Sequence, residues 1–164
     1  MPIVEKLQRY LDDNQVRYET LSHPPAYTAQ EIAALQHVTG RDFAKVVMAE
    51  ASAGPVMVVL PATRRLDLLK VAAVLRADHP LRLAHEDEFA HLFAPCEPGA
   101  MPPFGNVFGV PVYVDRSLAA EETIVFQAGT HADTVRMRYA DFAKLAQPVV
   151  GDFTLIRDES EKSA

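Results

Sequence analysis

Cysteine is almost absent from this 164-residue chain. Cys96 stands alone, so no internal disulfide can form and a disulfide-stapled scaffold is excluded. Long apolar runs are missing too, and none approaches the roughly 20 residues that a helix needs to span a bilayer. The opening Met1-Pro2-Ile3-Val4-Glu5-Lys6 goes straight into an amphipathic pattern and lacks the apolar core of a signal peptide. Together these absences set the expectation of a cytoplasmic protein with no membrane partner. An excess of basic charge is also lacking. The formal net charge is −6, whereas a protein that grips long nucleic acid by neutralising phosphates is usually basic. This argues against DNA and against broad autonomous binding to RNA. It leaves local contact with one RNA end, or help from a partner.

Several catalytic signatures are missing as well. His23, His37, His79, His85, His91 and His131 are scattered. None forms the i, i+4 pair with an adjacent glutamate that a zincin helix needs, and one cysteine cannot supply a structural zinc cluster. His85 and His91 flank acidic residues, but their spacing places them on different helix faces. No metal and no cofactor is expected. There is no Gly-x-Ser-x-Gly elbow, no P-loop and no dinucleotide fingerprint, and Gly105 and Gly109 are too isolated to cradle phosphates. Cys96 sits in a proline-rich loop without an adjacent base and reads as a buried or incidental thiol.

What remains is an ordinary globular composition, 49% apolar with charge spread along the chain, which suits one core. We expect a single domain over residues 1–157 and a polar tail over 158–164. Ile3, Val4, Leu7, Tyr10 and Leu11 recur at helical spacing, and Asp12-Asp13-Asn14 should end that helix. Arg17 to Leu21 reads as a short strand, followed by the stiff loop Ser22-His23-Pro24-Pro25. Thr28-Ala29-Gln30-Glu31 fits a capping box before a helix over Ala29–His37, which Gly40 stops. Phe43–Ala49 and Pro55–Pro61 read as strands joined around Ser52-Ala53-Gly54. Asp67 caps a helix through Leu75. Leu81–Ala84 should be a strand and Glu86–Leu92 a short helix. A loop from Pro95 to Gly105 precedes a strand over Val110–Val114, whose Pro111 marks an edge strand or a strand start. Thr123–Ala128, Thr134–Arg138 and Phe153–Ile156 are further strands, with a helix over Ala140–Ala146. Strands outnumber helices and do not alternate strictly with them. The expected fold is therefore α+β, a mixed sheet or barrel with peripheral helices.

Three features could carry chemistry. Lys45 lies inside an apolar strand, so it either snorkels to the surface or faces a cavity where its ammonium can hold a phosphate or carbonyl oxygen. The stiff loop Pro98-Gly99-Ala100-Met101-Pro102-Pro103-Phe104-Gly105 can wall a pocket or serve as a structural turn. Gly129-Thr130-His131 can present an imidazole at a pocket rim or simply make a turn.

In combination the chain resembles the YbaK/ProX family of aminoacyl-tRNA editing domains, free-standing or inserted in bacterial-type prolyl-tRNA synthetases. The resemblance runs in order through His23-Pro24-Pro25-Ala26-Tyr27-Thr28, Phe43-Ala44-Lys45-Val46-Val47, Val56 to Pro61, and Arg65-Leu66-Asp67-Leu68-Leu69-Lys70. It continues through Gly99 with Pro102-Pro103-Phe104-Gly105, Val110 to Asp115 with Ser117-Leu118, and Ala128-Gly129-Thr130-His131 leading to Asp141-Phe142.

The resemblance implies a barrel-like mixed sheet surrounded by helices. It also implies hydrolysis of the ester between a mischarged amino acid and the terminal adenosine of tRNA. Lys45 matches the family's lysine near the terminal phosphate and ester, and His131 matches the histidine of the prolyl-editing branch. These two are the expected catalytic residues. Thr28 at the pocket mouth, Val46, Met101, Phe104, Gly105, Gly129 and Thr130 are the expected substrate-binding positions. Lys45 and backbone amides near Gly105 or Gly129 would stabilise the oxyanion. Members that clear alanine often carry asparagine after the lysine; Val46 stands here, which puts alanine specificity in question. Alanine, serine, cysteine and 2-aminobutyrate are the candidate amino acids. Only the tRNA acceptor end need touch the protein, and a synthetase would supply the remaining contacts. Arg64, Arg65, Lys70 and Arg76 read either as a local basic patch for that RNA or as a solvated helix face. Two other readings stand beside this one: a non-catalytic aminoacyl-tRNA- or synthetase-binding module, and a hydrolase of another small aminoacyl ester without tRNA.

Overall fold

In the computed structural model the described residues are 4–24, 26, 28–35 and 39–156. The expected tail from Arg157 and the end of the second helix, residues 36–38, lie outside them. Leu7 and Leu11, one turn apart, are fully buried on the inner face of α1 (Glu5–Asp13). The helix runs through Asp12 and Asp13 and ends at Asn14. β1 (Tyr18–Ser22) leads into the His23 loop and α2 (Ala29–Leu35), where the Thr28 hydroxyl accepts the Glu31 amide at 3.1 Å. This is one half of the expected capping box.

β2 (Ala44–Ala51) and β3 (Gly54–Pro61) form the expected hairpin, paired from Ala44↔Pro61 to Ala51↔Gly54. β4 (Arg64–Leu66) follows. The Asp67 carboxylate then accepts the Leu69 amide at 3.0 Å and starts α3 (Leu68–Leu75). β5 (Arg82–Leu83), α4 (Glu86–Phe89) and a 3-10 turn over Ala90–Phe93 come next. A second 3-10 turn, Gly105–Phe108, ends the proline-rich loop. The remaining elements are β6 (Val112–Asp115), α5 (Arg116–Ala119), β7 (Thr123–Gln127), β8 (Asp133–Arg138), α6 (Tyr139–Ala146), β9 (Val149–Gly151) and β10 (Thr154–Ile156).

The strands make a mixed five-stranded sheet of order β5-β2-β3-β6-β9, an antiparallel sheet of order β1-β8-β7, and a β4–β10 pair. β3–β6 and β6–β9 are the parallel ladders. Pro111 does mark a strand start, but β6 has a partner on each side and is no edge. A parallel bridge between Phe43 and Val125 joins the two larger sheets. Among the described residues the ladders do not close into a barrel. The mixed sheet with surrounding helices is as expected.

Strand alternation divides the interior. One face of both larger sheets carries Ala44, Met48, Met57, Val59, Ile124, Phe126, Val135 and Met137. It packs on α1, α6 and the 89–110 segment to make the main core. The opposite face carries two smaller clusters. Ala26, Ile32, Ala33, Phe43, Ala62 and Val125 gather under α2, and Val58, Val71, Leu81 and Phe153 gather under α3. Buried Asp115 ties this region together: its carboxylate caps α5 through Ser117 and accepts the Phe153 amide at 2.8 Å.

Candidate functional site

Phe43 belongs to the α2 cluster and Ala44 to the main core. Alternation therefore puts Lys45 on the outer face and Val46 on the inner one, where Val46 packs against the main core. Lys45 is half-buried and pairs in register with buried Leu60. On the neighbouring strand, Val125 lies in the α2 cluster while Ile124 and Phe126 face the main core. Gln127, two residues past Val125, thus shares the outer face with Lys45, which stands two residues past Phe43. Phe43 and Val125 form an isolated parallel bridge, and Lys45 and Gln127 each stand two residues beyond it on that face. The Gln127 amide nitrogen is buried without a hydrogen-bond partner.

The same face continues across the antiparallel sheet through the row Gln127↔Thr134↔Leu21. His23, two residues past Leu21, extends this ladder by donating its amide to the Ala132 carbonyl at 2.8 Å. The Ala26 amide donates to the His131 carbonyl at 3.1 Å, which fixes the 23–26 loop against the β7–β8 turn. His23 is only 9% exposed. Its Nδ1 stands 2.7 Å from the Pro24 carbonyl, so Nδ1 carries the proton, and Nε2 is left as a buried acceptor with no partner among the described residues. Sequence reasoning gave Gln127 no role and placed His23 only within the loop before Thr28 near the pocket mouth. The available signal was a polar residue closing the apolar run Ile124-Val125-Phe126, on the Val125 side of the strand. His23 was visible only as part of the His-Pro-Pro motif.

The remaining expected positions divide between a turn and the core. Gly129 has a φ of +103°, and a Cβ there would lie 2.0 Å from Val4 Cγ2, so only glycine fits. Its amide donates to the Ala100 carbonyl at 2.9 Å and its carbonyl accepts the Glu97 amide at 2.8 Å. The proton of this one amide thus already holds the 97–100 loop. Thr130 closes the turn, donating its hydroxyl to Asp133 at 2.5 Å and accepting the Ala132 amide at 3.2 Å. His131 is half-buried; its amide donates to the Glu97 carboxylate at 3.1 Å, and its Nε2–H donates to the Pro98 carbonyl at 2.7 Å.

Met101 and Phe104 lie in the main core, on the face away from Lys45. Phe104 is fully buried at the centre of an edge-on aromatic cluster with Tyr10, Phe126 and Phe142. Gly105 is buried, and a Cβ there would lie 2.8 Å from the Val110 carbonyl. Thr28 is exposed. The structure thus brings Lys45 together with Gln127 on one face, and Gly129, Thr130 and His131 with the 97–100 loop. Val46, Met101, Phe104 and Gly105 pack toward the main core.

Burial pushes the Cys96 thiol up to about 11, which keeps it protonated and inert near neutrality. His85 and His91 are exposed. Of the four cations considered as a basic patch, Lys70 donates to both Asp152 oxygens at 3.1 and 3.2 Å and to the Thr154 carbonyl at 2.8 Å. Arg64 donates to the Thr154 hydroxyl at 3.3 Å. Both therefore fasten β10. No helix among the described residues is long and apolar enough to cross a membrane.

The family model described as aminoacyl-tRNA editing domain matches residues 23–145. No curated protein matches the chain in sequence. Among solved structures, a hypothetical protein superposes with a TM-score of 0.81 at 23% identity, covering 92% of this chain and 100% of that one. A protein described as "a putative trans-editing enzyme for prolyl tRNA synthetase" gives 0.80 at 22% identity, covering 92% and 95%. The fold also occurs within a longer chain, a "putative signal transduction protein" of Marinobacter aquaeolei. There the TM-score is 0.74 at 20% identity, over 93% of this chain and 31% of that one. At these identities the likeness to solved structures is one of fold.

Proposed function

Because this chain belongs to the aminoacyl-tRNA editing domain family, we propose that it hydrolyses the ester of tRNA mischarged with a small non-cognate amino acid. The observation that carries this reading, beside the family, is the placing of Lys45 and Gln127 on one sheet face flanked by the α2 cluster. Water attacks the ester carbonyl, a new C–O bond forms, and the bond to the terminal ribose oxygen breaks. That oxygen takes one proton of the water, the second is released to solvent, and the amino acid leaves as its carboxylate. An aminoacyl ester is already activated, so positioning and electrostatic stabilisation are enough without metal or protein nucleophile.

In this reading the Lys45 ammonium faces the ester carbonyl or the terminal phosphate. The Gln127 amide donates to a second ligand oxygen. His131 acts at the rim, where the Gly129–Ala132 turn meets the 97–100 loop, and the substrate's own ribose hydroxyl helps to orient the water. Selection among small side chains rests on cavity size, which separates neighbours by only about 1–3 kcal/mol per methylene. The family's asparagine and this chain's Val46 occupy a position whose side chain faces the core. The substitution would therefore act on sheet packing more than on direct contact with the ligand. The protein engages the acceptor end of tRNA as one cytoplasmic domain over residues 1–157. With a net charge of −6, it relies on a synthetase for most of the remaining contacts.

The test is deacylation of a panel of mischarged tRNAs by the protein and by Lys45→Ala. We expect one or two small amino acids to be cleared, and a loss of about 10²–10³ in kcat for the variant, the range for removing one oxyanion donor. Retained binding of aminoacyl-tRNA without clearance, with or without a synthetase, would instead establish a binding module. Clearance of free aminoacyl esters but no tRNA would establish the second hydrolase reading.

A further inference from the structure

The outer face described above presents two donors, the Lys45 ammonium and the Gln127 amide. It also presents one acceptor lacking a partner, His23 Nε2. The Nδ1–H bond to Pro24 fixes the tautomer, so this nitrogen offers a lone pair and requires a donor. A buried imidazole nitrogen left unsatisfied is unfavourable, and such groups are rare unless a ligand or water completes them. His23 sits on β1's extension and Lys45 on β2, with β8 and β7 between them. Their strands are three strand spacings apart, about 14 Å, and His23 lies two residues farther along β1 than the Gln127–Thr134–Leu21 row. One ligand lying across the face would therefore meet them at opposite ends.

We infer that His23 Nε2 accepts a hydrogen bond from the free α-ammonium of the aminoacyl group, and that the site selects esters with an unblocked amino end. This rests on the editing reading and deepens it. With Lys45 at the phosphate or ester end, the far end of an aminoacyl-adenosine is the amino acid, and its one strong donor is the ammonium. Lys45 and Gln127 offer donors to a ligand oxygen and the Thr134 hydroxyl donates to the Leu21 carbonyl, whereas His23 Nε2 is an acceptor that suits a cation. His23 is a substrate-binding and positioning residue here, and it transfers no proton.

The experiment is a cycle between residue and substrate group. Deacylation of alanyl-tRNA and of propionyl-tRNA, which lacks only the amino group, is measured for the unmodified protein and for His23→Phe. Each rate is divided by the spontaneous hydrolysis rate of the same ester, because the ammonium itself activates the ester. We expect the unmodified protein to prefer the amino ester by about 10- to 100-fold, the range of one hydrogen bond to a charged group. That preference should vanish in His23→Phe and return in part in His23→Gln, which restores an acceptor near the Nε2 position. Should His23→Phe fold poorly, the two substrates with the unmodified protein still decide. An equal normalised rate on both esters overturns the inference while leaving the editing reading intact. The same holds for an unchanged preference in a folded His23→Phe. No deacylation of any aminoacyl-tRNA would overturn the editing reading itself, and the inference with it.

Discussion

Replacing Phe104 by alanine separates a pocket wall from a core anchor. The sequence pattern placed this side chain beside the substrate, whereas its ring is fully buried, with centroids 6.1 Å from Tyr10, 5.7 Å from Phe126 and 5.1 Å from Phe142. Truncating a buried phenylalanine costs about 3–5 kcal/mol. Edge-on aromatic partners each add about 0.5–1.5 kcal/mol beyond burial, so the upper part of that range applies, about 4–5 kcal/mol. Against a total stability of about 5–15 kcal/mol this is a large fraction. With a urea m-value of about 2 kcal/mol/M, the midpoint should fall by about 2 M with the slope unchanged. The assay is urea unfolding followed by far-ultraviolet circular dichroism, beside kcat/KM for deacylation measured without urea, where enough of the variant stays folded. Activity per folded molecule should remain within a few-fold. A midpoint shift below about 0.5 M together with a tenfold or greater loss of kcat/KM would refute the assignment of Phe104 to the core and return it to the pocket.

Gly129→Ala combines a positive φ with a Cβ driven into Val4. A loss of about 2–4 kcal/mol is expected, from backbone strain of about 1–3 kcal/mol plus the clash. Adding Val4→Ala should recover part of it, and thermal melts that show no loss in the single variant would contradict this account. Glu88 is held down to about 2 by the paired hydrogen bonds from Arg82 at 2.7 and 2.6 Å, helped by the His85 amide at 2.8 Å. Its folded value is depressed, so its contribution to stability is present above the ordinary carboxylate value near 4.5. That contribution is lost as pH falls from there through about 2. Arg82→Ala should raise the Glu88 titration, read by NMR of its carboxyl carbon, toward the ordinary value; an unmoved titration would remove Arg82 as the cause.

Elements with a strong local period were legible in the sequence. α1, the β2–β3 hairpin, the Asp67 cap, β7, β8 and α6 all fall within a few residues of expectation. β4 and β9 were not; each is three residues long and is a strand through its pairing with β10 or β6. Nor were α5 and the 3-10 turn at Gly105, each a single turn too short to show a period, although Asp115 caps α5 locally through Ser117. The candidate site was legible as a set of residue types but not as a set of faces. Whether Lys45 looks toward Phe104 or away from it depends on which neighbour of Phe43 enters the core. That is decided by the bridge to Val125, far away in sequence. The same bridge puts Gln127 and Lys45 on one face, which no local pattern could show.

That long-range wiring also governs how the molecule comes into being. The side chains of Ser22 and Asp133, hydrogen-bonded at 3.0 Å in the ladder next to His23, are 111 residues apart in the chain. β1 therefore has no partner until nearly the whole domain has been synthesised. Loop closure of this span delays native pairing, and non-local sheet topologies fold toward the millisecond-to-second range. The β2–β3 hairpin, by contrast, can close at once. It then exposes Val56-Met57-Val58-Val59-Leu60, an uncharged β-branched run that is fully covered only in the finished fold. A growing chain thus carries its most self-associating segment uncovered through most of synthesis. The enzyme that we propose guards translation would itself be among the products most exposed to aggregation when translation stalls.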